Sequence, residues 1–186
     1  YPEAVAAFTN TLDLGCFGDV VAVTSTSTNA STYSWNFGDG TPLATTANAT
    51  HTYSRAGDGN IYTISLTVTS VNGCVDNVTG TVNTKHSILA QFAPSRDTFC
   101  ATRPDDGISM INTSTATVQG AAVTIADHSW SFGDGTAIEA GTSPTPLTDP
   151  KYYPVADSYH VTLIVTDTIG CKDTAVRTVF AQRVDL

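Results

Sequence analysis

Polar and apolar residues alternate without a fault along Tyr62-Thr-Ile-Ser-Leu-Thr-Val68, so an extended chain places Tyr62, Ile64, Leu66 and Val68 on one face and Thr63, Ser65 and Thr67 on the other. Tyr159-His-Val-Thr-Leu-Ile-Val165 keeps the same inward set and turns Ile164 outward. Val20-Val-Ala-Val23 and Ile108-Ser-Met-Ile111 predict an early strand in each half of the chain, and Ala6-Ala-Phe8 and Ala90-Gln-Phe92 predict an opening strand. With turn residues between such runs, the spacing predicts six or seven short strands per half and an all-β fold of Greek-key β-sandwiches.

The two halves are copies of one another. Cys16 matches Cys100, Trp35 matches Trp130, Tyr53 matches Tyr153, Tyr62 matches Tyr159, and Gly73-Cys74 matches Gly170-Cys171. The second copy is longer only before its tryptophan, around Thr115-Ala-Thr-Val-Gln-Gly-Ala-Ala-Val-Thr-Ile125, a stretch compatible with a long loop or an added edge hairpin. A self-similar chain of this length predicts two domains, 1–83 and 88–186, joined head to tail through the short polar linker 84–87.

Composition agrees with strands and tight turns: Thr, Ser, Val, Gly and Asn are plentiful, and good helix formers are few. The formal net charge of −9 leaves no pool of cations to displace counterions, which argues against nucleic acid and anionic membranes as partners. No apolar run approaches the roughly 20 residues that span a bilayer. Tyr1-Pro-Glu-Ala has none of the basic and apolar character of a signal peptide, so the chain is expected to be a piece of a longer one whose ends have been removed, by processing or by design.

Four cysteines allow three connectivities, and the one that respects the repeat joins Cys16 to Cys74 and Cys100 to Cys171. Loops of about 60 to 70 residues closed in this way contribute roughly 4 kcal/mol in the chain-entropy picture. A zinc site is the weaker reading, because there is no Cys-x-x-Cys pair and no histidine recurs at an aligned position. Disulfides imply an oxidising compartment, hence an extracellular or cell-surface location.

The stretch Trp35-Asn-Phe-Gly-Asp-Gly-Thr41 returns as Trp130-Ser-Phe-Gly-Asp-Gly-Thr136. Neither Gly-Asp-Gly is followed by the lysine and helix of a phosphate-binding loop, nor by the longer glycine pattern of a dinucleotide site. Asp-Gly between extended segments is a hairpin signal, and the tryptophan and phenylalanine before it share a face, the core face. Together with His51-Thr-Tyr53, Tyr153 and the two alternating strands, these residues resemble the PKD (polycystic kidney disease-type) domain over nearly the whole chain. The second copy departs from that pattern at Lys151, which stands where the first has His51, and at Asp157-Ser158, where a glycine is usual. The resemblance implies an Ig-like sandwich in each half. It makes Trp35, Phe37, Tyr53, Trp130, Phe132 and Tyr153 structural, and Asp39 and Asp134, between Gly38, Gly40, Gly133 and Gly135, organisers of turns. The paired cysteines are similar to those of PKD-like repeats in secreted or surface proteins of bacteria, Bacteroidetes among them.

Sharper functions find less support. Asp39 and Asp134 belong to separate domains and are flanked by turn glycines, the histidines 51, 86, 128 and 160 are unaligned, and no serine or cysteine stands in a nucleophile elbow, so the chain is not expected to be an enzyme. No cofactor is expected. Calcium has a precedent in the resembled family, and Asp105-Asp106-Gly107 is the densest acidic spot, but no spaced Asp-x-Asp-x-Asp loop is present. A polysaccharide-binding face needs exposed aromatic rings, for which Phe17, Phe99, Tyr152 and Phe180 are the candidates. Asn29, Asn48, Asn77 and Asn112 begin N-linked tripeptides, while Asp167-Thr-Ile and Asp173-Thr-Ala resemble a bacterial O-linked pattern with Thr168 and Thr174 as acceptors. The chain is therefore expected to be a non-catalytic spacer, adhesion or assembly segment of a larger secreted or surface protein, a filament or stalk subunit included. Its partners would be other domains of that protein, copies of itself, or an extracellular protein or polysaccharide. The alternative is an accessory polysaccharide- or protein-binding pair beside a secreted hydrolase.

Overall fold

A computed structural model describes residues 2–54, 59–101, 106–142 and 150–183. Every element among them is a strand, and the chain divides into two compact units, Tyr1–His86 and Ser87–Leu186.

The first unit is built from β1 (Phe8–Asp13), β2 (Gly18–Ser25), β3 (Thr32–Asn36), β4 (Asn48–Ser54), β5 (Ile61–Thr69) and β6 (Val75–Asn83). They form two three-stranded sheets, ordered β1-β2-β4 and β3-β5-β6. Because β4 leaves its sequence neighbours and pairs with β2, the connection from β3 to β5 passes through the opposite sheet, as in a Greek key. The period-two alternation of β5 sends Ile64, Leu66 and Val68 fully into the core beside Val21, Val23 and Trp35. Phe8 meets the indole of Trp35 edge-on, with ring centroids 5.2 Å apart.

The second unit comprises β7 (His86–Leu89), β8 (Phe92–Pro94), β9 (Thr98–Cys100), β10 (Met110–Asn112), β11 (Thr115–Val118), β12 (Ala121–Val123), β13 (Ile125–Ser131), β14 (Glu139–Thr142), β15 (Ser158–Asp167) and β16 (Lys172–Gln182). Its main sheet has the order β14-β13-β15-β16-β9. Across from it lie β10-β8 and β12-β11-β7. Val161, Leu163 and Val165 of β15 are buried with Trp130, Phe132, Ile108 and Met110, while Ile164 faces outward. The insertion before Trp130 is a hairpin: β11 and β12 pair through Gln119 and Gly120, both at positive φ, the geometry a two-residue hairpin turn requires.

The residues 84–87 read from the sequence as a linker are structured. Thr84 is buried and its backbone N–H donates to the Asn60 carbonyl at 2.8 Å, and β7 starts at His86.

Candidate functional site

Each signature turn is a small closed system of hydrogen bonds. In the first, Asp39 Oδ1 accepts from the backbone N–H of Thr41 at 3.2 Å and from its hydroxyl at 2.6 Å, and Asp39 Oδ2 lies 2.7 Å from His51 Nε2. In the second, Asp134 Oδ1 accepts from the N–H and hydroxyl of Thr136 at 3.0 and 2.6 Å. Below the turns, the Tyr53 hydroxyl donates to the Phe37 carbonyl at 2.9 Å, and the Tyr153 hydroxyl to the Phe132 carbonyl at 3.1 Å. Gly38 and Gly133 have φ of 80° and 72°. A Cβ on Gly38 would strike the Thr63 carbonyl, and one on Gly133 would sit 2.7 Å from the His160 carbonyl oxygen, so backbone angle and space both call for glycine there.

These bonds set the electrostatics. Burial pushes the Asp39 carboxyl up, but the hydrogen bonds from Thr41 and His51 outweigh it and hold the group below its ordinary value. At Asp134 burial is likewise outweighed, by Thr136 and by the charge of Lys151. Burial, reinforced by the neighbouring aspartate, raises the phenols of Tyr53 and Tyr153 far above the usual range.

The departure at Lys151 is conservative in space. His51 stacks on the Phe37 ring with centroids 4.3 Å apart, and the Lys151 ammonium stands 4.4 Å from the centroid of the matching Phe132. The cation keeps the contact with the ring face and takes Glu139 at 2.9 Å as its ion-pair partner.

The cysteines correct the sequence reading. The bridges expected within each domain, Cys16 to Cys74 and Cys100 to Cys171, are not formed: Cys16 and Cys171 are disulfide-bonded, and Cys74 and Cys100 are free thiols. The reason is strand geometry. Cys74 closes the turn between β5 and β6, where Thr69 faces Val75. Cys16 precedes β2, whose Asp19 faces Tyr53, and Tyr53 stacks at 4.1 Å on Tyr62 at the other end of β5. The nine residues of β5 span roughly 30 Å at about 3.3 Å each. In the second unit Cys171 adjoins Lys172 at the start of β16, whereas Cys100 faces Gln182 at its end, across eleven residues and roughly 35 Å. A disulfide needs Cα atoms within about 7 Å.

Two aspartates to which the sequence reading gives no part in the fold clamp the segments before β1 and β8. Asp76 Oδ2 accepts from Ala6 N–H at 2.8 Å and Asp173 Oδ2 from Ala90 N–H at 2.7 Å. The signal was present as a repeated Gly-Cys-x-Asp, Gly73 to Asp76 and Gly170 to Asp173. The Ala6 N–H holds the Asp76 carboxyl below its ordinary value.

The remaining candidates do not converge. Phe99, expected as an exposed ring, is 3% exposed in the core because β9 pairs in parallel with the end of β16. Phe17, in the first unit, is 95% exposed, and Tyr152 and Phe180, in the second, are about half exposed. Asp106 is engaged by the Arg96 guanidinium and by Cys100 N–H at 2.8 Å, which lower its pKa in the order amide then guanidinium. A carboxylate so occupied is poorly placed to ligate calcium, and its neighbour Asp105 lies outside the described residues. Thr168 and Thr174 are exposed.

Three N-terminal domains of the bacteriophage RB49 highly immunogenic outer capsid protein (Hoc) are similar in structure, with TM-score 0.50 and 15% identity over 94% of this chain and 59% of that one; this chain thus spans about three fifths of that fragment. Fibronectin(III)-like modules of Clostridium thermocellum CbhA match at TM-score 0.38 and 15% identity, over 94% of this chain and 95% of theirs. Carbohydrate-binding modules of the β-sandwich superfamily match at TM-score 0.39 and 18% identity, over 97% of this chain and 85% of theirs. Among curated proteins none matches significantly. The PKD domain family matches twice, over residues 1–85 and 93–181, and with two Trp-x-Phe-Gly-Asp-Gly-Thr turns, each with its tryptophan and phenylalanine buried, in two β-sandwiches the chain belongs to the PKD domain family, as a tandem pair.

Proposed function

We propose that this chain is a non-catalytic spacing and linking segment of a larger secreted or surface-displayed protein. The observation that carries this reading is the use of the repeated polar residues. Asp39 and Asp134 direct an oxygen at their own turn, Tyr53 and Tyr153 direct their hydroxyls at the backbone just before it, and Asp76 and Asp173 hold the segments before β1 and β8 to the last strand of their unit. Side chains with chemistry to offer are engaged in keeping a sandwich closed. That suits a module that bears load between its termini.

The experiment is single-molecule pulling of the chain from its two ends in reducing buffer, so that no disulfide shields the domains from force. The spacer reading expects two discrete unfolding events, one per domain, with refolding on relaxation. Extension at low force without discrete events would overturn it.

A second reading, an accessory binder of polysaccharide, has one observation in its favour: Phe180 and Val176 stand exposed on the outer face of the β15–β16 pair. Affinity electrophoresis in gels containing soluble polysaccharides separates the two, since retardation relieved by Phe180→Ala requires binding and unaltered mobility supports the spacer.

A further inference from the structure

Cys74 and Cys171 occupy the same place in the same turn. Ser70 N–H donates to the Cys74 carbonyl at 2.8 Å and Gly73 N–H to the Ser70 carbonyl at 3.0 Å; in the other copy Asp167 N–H donates to the Cys171 carbonyl at 3.0 Å and Gly170 N–H to the Asp167 carbonyl at 3.1 Å. The cysteine N–H is held alike, by Ser70 Oγ at 3.1 Å and by Asp167 Oδ1 at 2.9 Å. Cys16 and Cys100 also correspond by position in the repeat, each with an aspartate, Asp19 or Asp106, accepting from a backbone N–H at or beside the cysteine. Each class therefore has one disulfide-bonded member, Cys171 and Cys16, and one free thiol, Cys74 and Cys100. The free members cannot reach the other cysteine of their own domain, for the reason of strand length given above, and Cys74 is exposed.

We propose that Cys74 and Cys100 are linking thiols, which form disulfides with the complementary class of cysteine on further PKD domains of the same design. Cys74 takes a Cys16-type partner and Cys100 a Cys171-type partner, so in a second copy of this chain Cys100 meets Cys74. The bond forms by exchange: one thiolate attacks an oxidising disulfide, such as glutathione disulfide, and releases one thiolate of it. The second cysteine then displaces the other, so that two protein thiols are oxidised to one disulfide and one oxidant disulfide is reduced to two thiols. The inference extends the linking role proposed above and is separable from it, because pulling reads the domains and thiol mapping reads the bond.

The test mixes Cys74→Ser and Cys100→Ser variants in equal amounts in glutathione redox buffer. Non-reducing electrophoresis is expected to show a disulfide-linked dimer at least tenfold more abundant in the mixture than in either variant alone, the wild type to give a ladder, and peptide mass mapping to identify Cys74 joined to Cys100. Tryptophan fluorescence checks that the variants fold, with Cys100→Ala as the substitute if the serine disturbs β9. Equal dimer in each variant alone, no dimer in the mixture, or Cys16 joined to Cys74 within the monomeric wild type would overturn the proposal.

Discussion

Asp39 shows how one carboxylate is used up by its surroundings. One oxygen closes the turn on Thr41, the other takes the His51 imidazole, and the stacked His51 ring in turn covers Phe37. Both Asp39 and Asp134 are held below the ordinary value of 3.8, so the unfolded chain takes up protons at higher pH than the folded one. Their contribution is complete above that value and is lost as pH falls below it, in the acid window where the folded carboxyls take up their protons. Urea unfolding midpoints should decline across this window. Asp39→Asn should cost about 1–2 kcal/mol at neutral pH and decline less steeply on acidification. Parallel pH profiles for variant and wild type would show that the carboxylate does not carry this dependence.

Between elements, the decisive contacts join residues far apart in the chain. The Asp76 clamp ties the segment entering β1 to the beginning of β6, and Asp173 ties the segment before β8 to β16. Removing the clamp frees an edge and leaves the centre of the sheet intact. Asp76→Ala is therefore expected to speed hydrogen exchange at the Ala6 amide and lower the thermal midpoint, while exchange along β5 stays slow at Ile64 to Val68. Uniform acceleration through β5 would mean that the clamp supports the whole sandwich. The β11–β12 hairpin illustrates an element that local sequence left open. Its small and β-branched residues suited loop and strand alike, and the positive φ of Gln119 and Gly120 resolved it as a hairpin.

For the molecule as a whole, the two units have separate cores, one centred on Trp35 with Leu66 and the other on Trp130 with Leu163. Each unit also contains its own signature turn and its own aspartate clamp. Fragments 1–86 and 87–186 should accordingly each unfold cooperatively, with a shift in tryptophan fluorescence, when produced alone in reducing buffer. A fragment without a cooperative transition would show that it depends on the other for its fold. No helix among the described residues is long and apolar enough to cross a membrane.

What the sequence determined by itself was local or repeated. Alternation along Tyr62–Val68 and Tyr159–Val165 gave strand and face, because side-chain direction in a strand has a period of two. The doubled Trp-x-Phe-Gly-Asp-Gly-Thr gave the family, since those residues meet one another within a single turn. Tertiary structure alone decided the rest. Which pole of a sandwich each cysteine occupies depends on how long strands run between them, so alignment of the repeat matched the cysteines correctly and paired them wrongly. Phe99 was unreadable for the same kind of reason: its burial follows from the parallel pairing of β9 with the far end of β16, a contact between residues some 80 positions apart that no local pattern encodes.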